Sequence, residues 1–103
     1  MAEYAAPKRG VELIFYISLY QQADTKLLKT DPTIAAGDFK VDKDGGGLNN
    51  LTTLPSVDPA GSRLVKITLS SDEMNADVVT VVGSDQTATK EWADIMFSIP
   101  TTV

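Results

Sequence analysis

Fourteen Asp and Glu residues, nine Lys and Arg, and no Cys or His set the chemistry open to this 103-residue chain. Without thiol or imidazole there is no cysteine nucleophile, no Cys/His zinc site, no His-dependent triad and no disulfide. Carboxylates remain as the reactive groups. Asp72, Glu73 and Asp77 fall close together in sequence. Such a cluster could perform acid–base work or hold a weakly bound cation. Ser70 stands three residues before Glu73, however, which is the spacing of a capping box, where acids serve a turn's N–H groups. Asp42-Lys43-Asp44-Gly45-Gly46-Gly47 invites a calcium reading, but counting from Asp42 puts Gly46 at the fifth position and Thr53 at the twelfth. A calcium loop needs acidic oxygen ligands there, so a hairpin turn is the reading that fits. The same glycines lack the Gly-Lys-Ser/Thr ending or the following helix of a phosphate loop. Serines and threonines have no base beyond lysine and acids, and no spacing pairs a serine with a lysine. Asn50-Leu51-Thr52 matches a glycosylation acceptor, a short pattern of low specificity. These residues predict no enzyme, no cofactor and no metal, and a small-molecule ligand is not expected.

The elements that carry these residues read as strands. Roughly a quarter of the chain is Val, Thr or Ile, types that suit a pleated sheet. From Val11 to Tyr20 the odd positions are Val11, Leu13, Phe15, Ile17 and Leu19, a period-2 apolar face. Gln21 to Asp31 reads as a turn and a brief edge strand, ended by Asp31-Pro32. Residues 37–43 form a strand, Asp44 to Gly47 a tight turn, and Leu48 onward a return segment. Pro55, Pro59 and Gly61 punctuate a loop. Val65, Ile67 and Leu69 alternate within 63–70. A short helical turn is expected over 71–76, then a central strand over Val78 to Val82. The last strand spans 92–99, with Ala93, Ile95, Phe97 and Ile99 on one face and Trp92, Asp94, Met96 and Ser98 on the other.

Six to seven short strands at this spacing predict an all-β fold, an antiparallel immunoglobulin-like Greek-key sandwich, with a small barrel as the alternative. The body covers residues 11–99, flanked by an N-terminal arm at 1–10 and a C-terminal tail at 100–103. No stretch approaches the ~20 apolar residues of a membrane span, and Lys8-Arg9 before an apolar run lacks the cleavage site of a signal peptide. The net charge of −5 argues against nucleic acid as a partner. Tyr4, Pro7, Tyr16, Tyr20 and Trp92 are the candidate interface residues, because aromatic side chains are frequent anchors at protein and sugar sites. For Trp92 the first reading is a place in the core or at its rim, and the second a protein or sugar contact.

The stretch from Pro32 to Val41, the Asp44-Gly45-Gly46 turn, Leu54-Pro55 and the run from Leu69 to Asp77 resemble small structural proteins of tailed bacteriophages. They are similar to the immunoglobulin-like modules of baseplate and tail accessory proteins. These motifs are structural punctuation and specify no ligand. The resemblance implies a virion component, assembled in the bacterial cytoplasm, that binds other virion proteins and copies of itself. Its place would be the tail, baseplate, neck or head surface. A carbohydrate-binding or host-adhesion module is the alternative, resting on Tyr16, Tyr20 and Trp92.

Overall fold

The computed structural model describes residues 6–103, and Tyr4 lies outside them. Among the described residues seven strands form: β1 (Leu13–Ile17), β2 (Phe39–Lys43), β3 (Leu48–Asn50), β4 (Ser56–Val57), β5 (Val65–Leu69), β6 (Val78–Gly83) and β7 (Ile95–Pro100). They make two antiparallel sheets, one ordered β1-β5-β4 and the other β3-β2-β6-β7. The β2–β3, β4–β5 and β6–β7 connections stay within a sheet. Those from β1 to β2, β3 to β4 and β5 to β6 cross between sheets, giving the Greek-key order of an immunoglobulin-like sandwich.

The alternation in the sequence is the alternation in the core. Val65, Ile67 and Leu69 of β5 face Phe39 and Val41 of β2 and Val79 and Val81 of β6, all at 4% exposure or less. Leu19, Met74, Ala76 and Trp92 reach the same core from the connections. As the apolar run at 78–82 requires, β6 is central, lying between β2 and β7. Gly83 ends it where space is shortest: a β-carbon there would stand 2.7 Å from the Phe39 ring and 2.8 Å from Ile95. A side chain there would force the Phe39 ring or Ile95 to shift.

The β2–β3 turn is built as its composition demands. Asp44 (φ 55°), Gly45 (φ 80°) and Gly47 (φ 117°) adopt the left-handed region, which glycine enters at least cost and Asp tolerates. Three details depart from the sequence expectation. The brief edge strand expected within Gln21 to Asp31 is reduced to an isolated bridge between Tyr20 and Leu28, too few residues to make a strand. A two-residue strand, β4, forms inside the stretch read as a proline-punctuated loop. The last strand begins at Ile95, three residues later than its alternation implies. Trp92 therefore precedes the strand, is free of its period-2 parity, and turns inward.

Candidate functional site

Of the carboxylates marked by sequence, Glu73, Asp42 and Asp44 are employed as braces. Glu73 is buried at 6% exposure. Its Oε1 accepts the Ser70 N–H at 2.8 Å, and the Ser70 hydroxyl accepts the Glu73 N–H at 3.1 Å, completing the capping box. The turn makes one helical hydrogen bond, from the Met74 N–H to the Ser70 carbonyl, and extends no further as helix. Glu73 Oε2 accepts the Thr52 N–H at 3.0 Å, so the turn is tied to the segment after β3. Asp77 is splayed outward and pairs with Arg9 at 2.6 Å. Both partners are exposed, and such surface pairs contribute little to stability. The cluster therefore does not converge on one reacting point.

In the glycine-rich hairpin, Asp42 accepts the N–H groups of Gly45 and Gly47, and Asp44 accepts those of Asp77 and Val78. The bond from Val78, then that from Asp77, holds the Asp44 carboxyl below its ordinary pKa. Among the described residues no group of three or more acidic side chains is placed to hold a metal ion. A polar cavity of about 410 Å³ opens beside this hairpin, with Val41, Lys43, Asn49, Asn50, Thr52 and Asp72 among its lining residues. It brings Asp72 and Glu73 of one expected cluster beside the other, the hairpin.

Two further buried carboxylates escaped the sequence reading. Asp38, 2% exposed, accepts the Ala35 and Gln86 N–H groups and joins two loops. Asp85, 1% exposed, accepts the Thr87 and Glu91 N–H groups and the Thr87 hydroxyl. Burial pushes the Asp85 carboxyl up, but the Glu91 and Thr87 hydrogen bonds outweigh it and hold the group below its ordinary value. The available signal was Asp85-Gln86-Thr87, an acid two residues before a Thr, which is Asx-turn spacing.

Ser84, Lys90 and Asp94 also come together unannounced. Lys90 Nζ donates to Asp94 at 2.9 Å and to the Ser84 hydroxyl at 3.3 Å, while Ser84 donates to Asp94 at 2.8 Å. Hydrogen bonds from Lys90 and then Ser84 depress the Asp94 pKa. Lys90 acts here as a donor toward the hydroxyl, whereas a general base must accept its proton.

The candidate interface residues divide. Trp92 is fully buried, stacks on Phe39 with centroids 5.4 Å apart, and donates its indole N–H to the Thr33 carbonyl. It caps the core, which corrects its reading as a surface anchor: an indole presents both faces and its N–H to the interior at that corner. It consequently forms no platform with Tyr16 and Tyr20, which are each about half exposed. Tyr16 donates weakly to Asp58 at 3.3 Å. Pro7 lies against the tail, its carbonyl accepting the Thr102 N–H.

What remains is a flank. β1 and β7 are the edge strands on one side of the sandwich, and Phe15 meets Phe97 edge-on across them at 5.5 Å. Leu13, Phe15, Ile17, Ile95, Phe97 and Ile99 point toward the core but stay only half-buried. Neither strand, Leu-Ile-Phe-Tyr-Ile nor Ile-Met-Phe-Ser-Ile-Pro, carries a charge. The opposite edges are three and two residues long, and short edge strands are one of the devices that prevent unwanted pairing. Outside the core, Ile14 (48% exposed) and Tyr16 (50%) give β1 a second apolar face. The alternation at 11–20 announced the strand; its edge position was hidden, because strand order depends on long-range pairing. No family model, curated protein or solved structure matches this chain.

Proposed function

We propose that this chain is a non-enzymatic structural or accessory protein of a tailed-phage virion, acting by binding other virion proteins. The observation that carries the binding role is the β1–β7 flank, long, uncharged and half-open beside two blunted edges. Sheet edges of this kind take an added strand, with backbone hydrogen bonds supplying affinity and alternate side chains supplying register. The non-enzymatic reading is supported by the employment of Glu73, Asp38 and Asp85, whose oxygens are engaged by backbone N–H groups. The particle context rests on the resemblance of the Pro32–Val41 and Leu69–Asp77 segments to phage baseplate and tail accessory modules. A sandwich is a scaffold for many functions, so the site and those segments bear the reading rather than the fold.

Mass spectrometry of purified phage particles tests it. The chain is expected in multiple copies per mature particle, on the tail, baseplate, neck or head surface. Its absence from mature particles overturns the proposal.

A further inference from the structure

Resting on that reading, we propose that the β1 edge is filled by β1 of a second copy of this chain, paired antiparallel about Phe15. The flank offers two edges, and they differ. Beyond the end of β7, Pro7 to Arg9 already hydrogen-bond to Thr102, and Pro100 has no N–H to donate. Among the described residues, Leu13–Ile17 of β1 pairs with β5 alone and carries no strand on its other edge, while past its end Tyr20 and Gln22 hydrogen-bond to Ala93 and Glu91.

The residues of β1 complement themselves. Centred on Phe15, antiparallel pairing sets Ile14 opposite Tyr16 of the second copy, twice by symmetry. Aromatic–β-branched pairs are among the favourable cross-strand combinations. On the inner face Leu13 meets Ile17 and Phe15 meets Phe15, covering side chains that each monomer leaves half-exposed. Charge allows the approach. The chain carries −5, so two copies repel over most of their surfaces, yet β1 brings no ionised group to the seam. The nearest acid along the strand, Glu12, falls opposite Ser18. The two-fold operation is the commonest in homo-oligomers and makes one six-stranded sheet, β4-β5-β1-β1-β5-β4.

A pair of five-residue strands buries less than the roughly 1,200–2,000 Å² of a standing dimer. The contact is therefore weak in isolation and gains strength when copies are held on a common scaffold.

Two double variants test partner and register together. In Ile14→Glu with Tyr16→Glu, the proposed pairing sets carboxylates directly opposite one another. In Ile14→Lys with Tyr16→Glu, the same pairing sets opposite charges together. Both sites are about half exposed, and Trp92 fluorescence during urea unfolding reports whether each variant folds. In sedimentation equilibrium of the purified full chain, wild type is expected to show a monomer–dimer equilibrium. The Glu/Glu variant weakens it by at least about tenfold, and the Lys/Glu variant restores it. Hydrogen exchange of the unaltered chain adds a readout free of substitutions: β1 amides gain protection as concentration rises. A wild-type chain that stays monomeric up to about 1 mM, near the effective concentration of tethered copies, overturns the inference. Equal dissociation constants for wild type and the Glu/Glu variant overturn it too. A chain present in particles but monomeric loses this inference alone; one that dimerises but is absent from particles loses the virion reading alone.

Discussion

Asp85 shows how a residue type suited to catalysis becomes a structural brace. Its carboxylate accepts two backbone N–H groups and one hydroxyl at 2.8–3.0 Å, closing the loop that leads to Trp92. Water would otherwise have to satisfy those donors inside the fold. Asp85→Ala is expected to destabilise by about 1–3 kcal/mol, the usual cost of orphaning partly buried donors, read as a lower urea midpoint. The pH dependence has a definite sign. The folded pKa lies below the unfolded one, so the folded state favours the ionised form. This contribution is fully present above the unfolded value of about 3.9 and is lost as pH falls through the lower folded value. Urea midpoints measured from pH 6 down to pH 2.5 are expected to fall less steeply in the Ala variant. An identical slope in both proteins would remove Asp85 from the acid response. Asp85 was not legible as a brace, because its partners at Thr87 and Glu91 depend on how the loop closes. Gly83 was equally silent: the crowding around it comes from Phe39 and Ile95, residues distant in sequence.

Glu73 joins two elements. With one oxygen it completes the turn after β5, and with the other it holds Thr52, beyond β3 in the opposite sheet. Glu73→Ala removes both acceptors and is expected to cost about 1.5–3 kcal/mol for each of the two charge-assisted hydrogen bonds to partly buried donors. Glu73→Gln retains one acceptor oxygen and should recover about half of that difference in the same urea titration. Of this device, the capping box was legible because Ser70 and Glu73 lie three residues apart; the tie to Thr52 was not. The same division runs through the sandwich. Period-2 alternation located β1, β2, β5 and β7 within a few residues, since one buried face dictates it, and the unbroken apolar run at 78–82 located β6. β4 was hidden, as two residues between prolines are too few for a period. Trp92 was assigned to the outer face of the last strand by parity, and the structure starts that strand only at Ile95. The candidate site was the least legible part. An apolar strand such as β1 reads as core wherever it falls, and its edge position belongs to the topology.

At the scale of the whole molecule, the sandwich has one protected side and one that invites pairing, and its terminal segments lie close to the latter. Lys8 bridges Thr102 in parallel just past β7, the Arg9 N–H donates to the Thr102 carbonyl, the Gly10 N–H to Met74, and the Arg9 guanidinium pairs with Asp77. None of the buried core side chains comes from residues 6–10. Removing residues 1–10 should therefore leave a folded sandwich with Trp92 still buried. It would lose a few exposed hydrogen bonds, each contributing about 0.5–1.5 kcal/mol at most. Since 1 kcal/mol shifts the melting temperature of a domain this size by about 4–8 °C, a decrease of several degrees is expected in a thermal scan followed by Trp92 emission. Assembly should suffer more than stability. The deletion strips the end of β7, exposing backbone beside an already open flank, and exposed edges exchange specific partners for indiscriminate ones. Particles grown with the truncated chain are expected to incorporate fewer copies than wild type, counted by mass spectrometry. Global unfolding on truncation would instead make the segment part of the core, whereas full incorporation would remove it from assembly and leave the β1 edge to act without it.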